Sequence, residues 1–520
     1  MSKHTRAQDQ SRRDLLRALG LGAGAIALGG PALLTGCSDD GATTTAGGTT
    51  GGTASTTTGP PASTASTVVP TPFDADRPYW VQGNFRPVSV EETITDLRVT
   101  GTIPSDLSGL FVRNGSNTKA DTEPLHWFLG DGMVHGVRIA DGKAQWYRNR
   151  YVQTPLAAAG KDILNMGGPP GQANNQSNVS VIHHAGKLLA LGEVGWPFEL
   201  DTADLATVGA WSYEGKLGET MTAHPKIDPD TGRMHFFGYE FLTPRLTYYA
   251  ASADGALDVV SPIPVDHATM VHDFAVTDRD AIFWIGPVLF GADEANPYPA
   301  VPFHWDETGP CKVGVMPLDG SGDQIRWVDI DPCYVFHGLN AHREGDDVVV
   351  QGSKLPEAFG RRGDLVPPQL TEWRIGTGGT DLTIRESQLY DREMDLPTHD
   401  RRFTGRPTRH GWLATTFGPE SEYGFELGGL AHVDLDKGTE DVWDPGANLR
   451  AGEGFFVPAG ETAPEGEGWV LTYIWDRTTD TSSLAIFDAQ AVAEGPVAQV
   501  HLGVRVPFGF HGWWVDESLL

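Results

Sequence analysis

The stretch Gly132-Met133-Val134-His135-Gly136-Val137-Arg138-Ile139-Ala140-Asp141-Gly142-Lys143-Ala144-Gln145-Trp146-Tyr147-Arg148-Asn149-Arg150-Tyr151-Val152 carries the pattern that decides the fold. An apolar run from Met133 to Ile139 breaks at Asp141-Gly142, and a second run extends from Ala144 to Val152. Two β-rich runs around a Gly-containing turn are the local mark of an antiparallel hairpin. The pattern repeats on both sides. Leu110 to Arg113 runs into Asn114-Gly115, read here as another turn; Val179 to His183 turns at Ala185-Gly186 and resumes at Leu188 to Leu191. Further hairpins are expected at Tyr248 to Val260 around Asp254-Gly255, at Val313 to Val328 around Asp319-Gly320, and at Leu430 to Trp443 around Asp436-Lys437-Gly438. No amphipathic helix longer than about three turns stands out.

Bulk composition agrees. With 64 Gly and 36 Pro in 520 residues, turn-formers favour many short strands over long helices. Strands spread over residues 78–520 exceed what one sandwich holds, so the expected fold is all-β, a closed β-propeller. The chain has no crisp repeat from which blades could be counted. A formal net charge of −30 repels nucleic acid and anionic membrane surfaces alike, which excludes both as partners bound by charge.

Residues 1–37 read as a targeting segment. Ser11-Arg12-Arg13-Asp14-Leu15-Leu16-Arg17 is a twin-arginine pattern, an apolar stretch runs from Ala18 to Leu34, and Leu34-Thr35-Gly36-Cys37 resembles a bacterial lipobox. The expectation is an exported bacterial protein of the cell envelope, held at the membrane by a lipid on Cys37. Residues 38–77, rich in Thr, Gly, Ser and Pro, cannot bury enough apolar surface to offset their ordering entropy and read as a flexible tether. Two further cysteines, Cys311 and Cys333, either pair or stay as buried thiols.

The chemistry lies in four histidines. His511 sits in Val506-Pro507-Phe508-Gly509-Phe510-His511-Gly512-Trp513-Trp514, hemmed in by aromatics close to a terminus that frays unless something ties it down. His224 in Ala223-His224-Pro225-Lys226, His272 in Val271-His272-Asp273-Phe274, and His337 in Phe336-His337-Gly338 lie at the edges of strand-like segments. Blades around an axis let each histidine come from a different inner strand and point inward. Imidazoles suit Fe, Zn, Cu and Ni, and they bring no ligand charge. Metal-bound histidine usually donates its second ring N–H to a carboxylate. The acidic residues set inside apolar segments, Glu193, Asp395 and Glu453, are the candidates. His126, His135, His183, His184, His235, His304 and His342 read as core or surface histidines.

At this point the sequence resembles a known family, the carotenoid cleavage oxygenases, which also includes stilbene dioxygenases and the retinal isomerohydrolase. The resemblance rests on Phe111-Val112-Arg113-Asn114-Gly115-Ser116-Asn117, Gly130-Asp131-Gly132-Met133-Val134-His135, Ala223-His224-Pro225-Lys226, His272-Asp273-Phe274, His337 with Asn340-Ala341, and Gly509-Phe510-His511-Gly512, in the family's order. It implies a seven-bladed propeller with loops capping one face. On the axis it implies non-haem Fe(II) held by His224, His272, His337 and His511, with Glu193, Asp395 and Glu453 behind them. It also implies oxidative cleavage of a conjugated C=C bond by O2, giving two carbonyl products.

Trp127, Phe128 and Tyr151 match positions near the family's substrate tunnel. Three departures stand out: Asp395 replaces the usual Glu, Gly192 stands where Thr is common and is expected to leave the dioxygen side open, and many members have an acidic residue near Arg343. Stilbene-cleaving members engage the phenol with a Tyr and a Lys. This chain offers Tyr147 or Tyr151 but has His183 and His184 where the Lys is sought, which tilts the expectation to a carotenoid or apocarotenoid. The alternatives are a lignostilbene-type dioxygenase and a non-catalytic propeller that holds a lipid-like ligand.

Overall fold

The computed structural model describes residues 74–520 apart from 75, 120–125, 162–170, 219, 241–242, 291–302, 361–366 and 417–425. The expected signal segment and most of the tether lie outside the described residues, and the expected cap of loops falls partly outside them. Among the described residues the one α-helix is Pro155–Ala159, and everything else of regular structure is strand or short 3-10 turns. No helix in this set is long and apolar enough to cross a membrane.

The strands form five separate sheets of four to six strands and one seven-stranded sheet, with a small two-stranded hairpin beside them. The seven-stranded sheet divides in two at its longest strand, Thr383–His399. The first part of that strand pairs with Gln369–Gly376 and the last part with His410–Thr416. Counted this way the molecule has seven blades, as the resemblance implied. In chain order the blades begin at Gly109–Ser116, Ser180–His184, Lys226–Ile227, Phe274–Val276, Tyr334–Glu344, the last part of Thr383–His399, and Leu449–Ala451.

Both ends of the chain close the ring. The last strand, Gly512–Asp516, pairs antiparallel with Gly109–Ser116 and sets Trp514 opposite Phe111. Arg98–Gly101, near the other end, pairs with Ala498–His501 of the seventh blade. Closure leaves no open sheet edge between the last blade and the first, and it pins the C-terminal segment that carries His511. The core lies between neighbouring blades as a series of apolar clusters. Between the seventh and first blades, Phe111 packs on Phe455 and Tyr473 at centroid distances of 6.1 and 5.5 Å. Full burial of an aromatic of this size contributes about 2–3 kcal/mol.

One expected turn is not a turn. Asn114 and Gly115 lie inside the strand Gly109–Ser116, which continues through both. The residue types are turn-like for another reason. The Asn114 amide donates to the carbonyls of Ser177 and Ser180, and a Cβ on Gly115 would come within 2.9 Å of Gly509 Cα. This pair of residues lets the C-terminal arm press against the first blade. Cys311 and Cys333 are buried free thiols with their sulfurs 4.0 Å apart.

Candidate metal centre

Each histidine sits where a blade's inner strand meets the axis. His224 precedes Lys226–Ile227 of the third blade, His272 precedes Phe274–Val276 of the fourth, and His337 lies in Tyr334–Glu344 of the fifth. His511 precedes Gly512–Asp516, which completes the first blade. The four side chains meet: one ring nitrogen from each lies within 4.8 Å of the others, and His224 Nε2 is 3.0 Å from His272 Nε2.

The other three blades supply the carboxylates. Glu193 follows Lys187–Leu191 of the second blade, Asp395 lies in the sixth, and Glu453 lies between the first two strands of the seventh. His272 Nδ1 is 2.7 Å from Glu193 Oε2, His337 Nδ1 donates to Asp395 Oδ1 at 2.8 Å, and His511 Nδ1 donates to Glu453 Oε1 at 2.7 Å. All seven expected residues therefore come together, one from each blade. Asp395 reaches its histidine directly although it is one methylene shorter than Glu. Its strand shifts register between Asp395 and Thr398, and Leu396 adopts φ 53, so a local bulge turns the carboxylate inward. His224 has no carboxylate partner among the described residues.

The donor set is that of a cation site. Where Nδ1–H is spent on a carboxylate, the neutral ring turns an Nε2 lone pair to the axis, and His511 Nε2 is buried there without a partner. Imidazole nitrogens that converge in this way, three of them on rings backed by carboxylates, suit a positive ion. Burial is the largest influence on the protonation of His224, His272 and His337. It holds His224 well below the ordinary range, helped by the neighbouring imidazoles, and lowers His337 in spite of Asp395. At His272 the charge and hydrogen bond of Glu193 together outweigh burial, and the pKa is raised. At Asp395 the adjoining His337 and the Leu396 N–H outweigh burial and lower the pKa.

Several supporting groups were not singled out in the sequence. Asp273 Oδ1 accepts from Lys226 Nζ at 2.7 Å and its Oδ2 accepts from the Gly338 N–H at 2.8 Å. These three residues adjoin His272, His224 and His337, so one carboxylate braces three ligand-bearing segments. The Tyr239 hydroxyl donates to Glu193 Oε1 at 2.6 Å, and the Gly512 N–H donates to Glu453 Oε2 at 2.7 Å. Buried Arg113 donates to the Pro507 carbonyl and lies over the Tyr473 ring, while the Asn114 N–H donates to the His511 carbonyl. The arginine and asparagine of the first-blade motif thus hold the arm that presents His511.

Aromatic rings flank the centre. Phe336 lies 5.1 Å from His272, and Phe359 packs on Phe336, Phe128 and Phe303. Trp127 stacks on Phe510 at 4.5 Å, one residue from His511. Of the three expected tunnel residues, Trp127 and Phe128 belong to this aromatic shelf. Tyr151 does not: its hydroxyl donates to the Val88 carbonyl and accepts from Asn117. Tyr147 is likewise committed, to His135 Nδ1 at 2.9 Å, which also accounts for His135 as a core residue.

A Cβ at Gly192 would meet Ser177 N at 3.1 Å and Asn175 Oδ1 at 3.3 Å, so the glycine accommodates a close backbone crossing. Arg343 finds its acidic partner in Asp280, with contacts of 2.6 and 2.7 Å.

Comparison with known proteins agrees with this geometry. A family model described as "Retinal pigment epithelial membrane protein" matches residues 85–516. A carotenoid cleavage oxygenase of Mycobacterium tuberculosis is 36% identical over 506 residues, covering 86% of this chain and 99% of the relative. An isoeugenol monooxygenase of Pseudomonas nitroreducens is 31% identical over 467 residues, covering 84% and 97%. The crystal structure of a lignostilbene dioxygenase from Pseudomonas brassicacearum superposes with a TM-score of 0.77 at 29% identity, over 86% of this chain and all of that one.

Proposed function

The chain belongs to the retinal pigment epithelial membrane protein and carotenoid cleavage oxygenase family, and on that premise we propose that it is a non-haem iron dioxygenase acting on a carotenoid or apocarotenoid. The reaction is oxidative cleavage of a conjugated C=C bond with O2, releasing two carbonyl products. His224, His272, His337 and His511 would hold ferrous iron, which would supply the activation of dioxygen. The single observation that carries this reading is the set of four convergent imidazoles, three of them backed by carboxylates, beside an aromatic shelf.

The chain's own residues have three tasks. Glu193, Asp395 and Glu453 fix the tautomer and orientation of three rings and offset positive charge on the axis. The shelf of Phe336, Phe359, Phe128, Trp127 and Phe510 excludes water and lays a flat, conjugated chain beside the centre. The closed ring holds His337 and Asp395 within strands and the other five groups beside strand ends, so little is left to reorganise when substrate arrives.

The hydroxyls of Tyr147 and Tyr151 are both committed within the protein, which supports an apolar polyene over a phenol. The second reading, a phenylpropenoid or stilbene substrate, draws on the likeness to the isoeugenol and lignostilbene enzymes. The test is mass spectrometry of products after the iron-loaded protein is incubated in air with an apocarotenal, a hydroxystilbene and isoeugenol. Aldehydes of the cleaved masses from the apocarotenal, absent without iron, are expected. Cleavage of only the phenolic alkenes selects the second reading, and no cleavage with iron bound revives the non-catalytic lipid-binding propeller. Export by the twin-arginine segment and lipidation of Cys37 complete the proposal. Palmitate labelling of wild type against Cys37→Ala in cell envelopes tests that part.

A further inference from the structure

A cavity of about 130 Å³ reaches His224, His337 and His511 along the propeller axis, and on its wall stands a cation whose side chain makes no hydrogen bond among the described residues. Arg401 follows the inner strand of the sixth blade, in the 3-10 turn Arg401–Phe403. Its guanidinium carbon lies 4.0 Å from the ring centre of Phe455 and 3.4 Å from that of Trp513. The rings make cation–π contacts with the guanidinium and accept none of its five N–H donors in a conventional hydrogen bond. Among the described residues none accepts from its N–H edge.

The nearby carboxylates are already engaged. Asp400 takes Arg402 on both oxygens, Glu453 takes His511 and the Gly512 N–H, and Asp273 takes Lys226, the Gly338 N–H and the Phe274 N–H. Burial draws the Arg401 pKa down to about 9, which still leaves it charged at neutral pH. The remaining polar wall is fixed as well. His399 donates to the Leu339 carbonyl and accepts from the Thr404 hydroxyl, and the Asn340 side chain ties down the loop Phe403–Arg406 beneath it.

We propose that Arg401 is an anion-binding group and that the axial cavity takes one small carboxylate-type anion on its guanidinium edge, a ligand separate from the alkene. A planar carboxylate matches the fork with two parallel N–H···O bonds, which a monatomic anion cannot do. Phe455 and Trp513 hold the fork flat in advance, so binding orders little that is not ordered already. Lys226, on the same wall and paired with Asp273, has one acceptor for its three donors and so offers further N–H groups. Formate, acetate and bicarbonate share the required chemistry.

The test is calorimetric titration of the protein, purified with its metal, with each of the three anions at constant ionic strength held by a sulfonate too bulky for the cavity. Saturable one-site binding is expected for at least one of them, and the tightest identifies the source. Arg401→Gln is expected to weaken it by roughly tenfold or more, and Arg401→Lys, which keeps charge without the fork, by less. Metal content and melting temperature of both variants check that they are folded. If Arg401→Gln does not fold, a wild-type crystal soaked in the tightest anion decides by density on the Arg401 edge. No saturable binding, binding undiminished in a folded Arg401→Gln, or soaked density placed elsewhere would overturn the proposal.

Discussion

The four imidazoles have two unlike surroundings. One is a shelf of rings, Phe336, Phe359, Phe128, Trp127 and Phe510, joined by contacts of ring on ring. The other is the axial cavity, where Lys226, Asp273, His399, Arg401 and Thr404 stand beside the same histidines. On the polar side Lys226 and Asp273 bond to each other and to the backbone of the segments that carry the ligands, so that side sets geometry. Dispersion contacts between rings are non-directional and tolerate variation, so the aromatic side sets the shape of what can approach. Substitutions on the two sides should therefore separate metal affinity from substrate recognition.

The largest effect is expected where both surroundings meet. His511 follows the shelf residue Phe510 and precedes Trp513 of the cavity wall. His511→Ala removes a ligand, and activity is expected to fall by more than about a hundredfold, beyond what loss of a supporting group costs. Metal per chain, read by atomic emission, should fall with it. Full metal content in this variant would mean either that the other three histidines suffice or that the axis is not the metal site.

Next come the supporting groups of the polar side. Glu453→Gln keeps shape but takes away the charge behind His511 and weakens the bond to the Gly512 N–H, and about a 10–100-fold loss of metal affinity is expected. Lys226→Met leaves Asp273 buried without its cation while the Gly338 N–H bond survives, so a smaller loss, of order tenfold, is expected. Chelator competition measures both. Equal metal affinity in Lys226→Met and wild type would show that the Asp273 brace does not position the histidines.

On the aromatic side, Phe128→Ala should leave metal affinity unchanged and raise KM by about 10–100-fold through lost apolar contact with substrate, with kcat less affected. Steady-state kinetics on the cleaved alkene, beside the chelator assay, is the measurement. A loss of metal in Phe128→Ala would abolish the separation between the two surroundings.

The seven groups at the centre were legible in the sequence because each sits in a short local motif: a histidine in one of the stretches that carry the family resemblance, or an acid inside an apolar run. Hairpins such as Met133 to Val152 were legible because period and turn chemistry act locally. What escaped is non-local. Lys226 and Asp273 lie 47 positions apart, and both are visible in quoted motifs, but only the closed ring makes them meet. Asn114-Gly115 was misread because a residue without a side chain serves a close approach as well as a turn. That one long strand, Thr383–His399, would serve two blades could not be read from Met394-Asp395-Leu396-Pro397, whose Pro instead resembles a strand end.

The smallest expected effect concerns stability on the polar side. His399 has its pKa held down to about 3, first by burial and then by the charges of Lys226 and Arg401. In the unfolded chain it titrates near 6.5, so between these values the unfolded state binds the extra proton. Stability therefore rises with pH across that window, is fully present above about 6.5, and is lost as pH falls toward 3. The contribution is on the order of a few kcal/mol at most, discounted for the solvent that reaches the cavity. His399→Gln keeps an amide to donate to Leu339 and an oxygen to accept from Thr404, but it cannot titrate. Urea midpoints of wild type and variant should converge as pH is lowered from 7 to 4.5, with the wild type losing more. Parallel curves would mean that the acid limb belongs to other buried histidines such as His235 and His432, each held at about 4, and not to the polar flank of the metal centre.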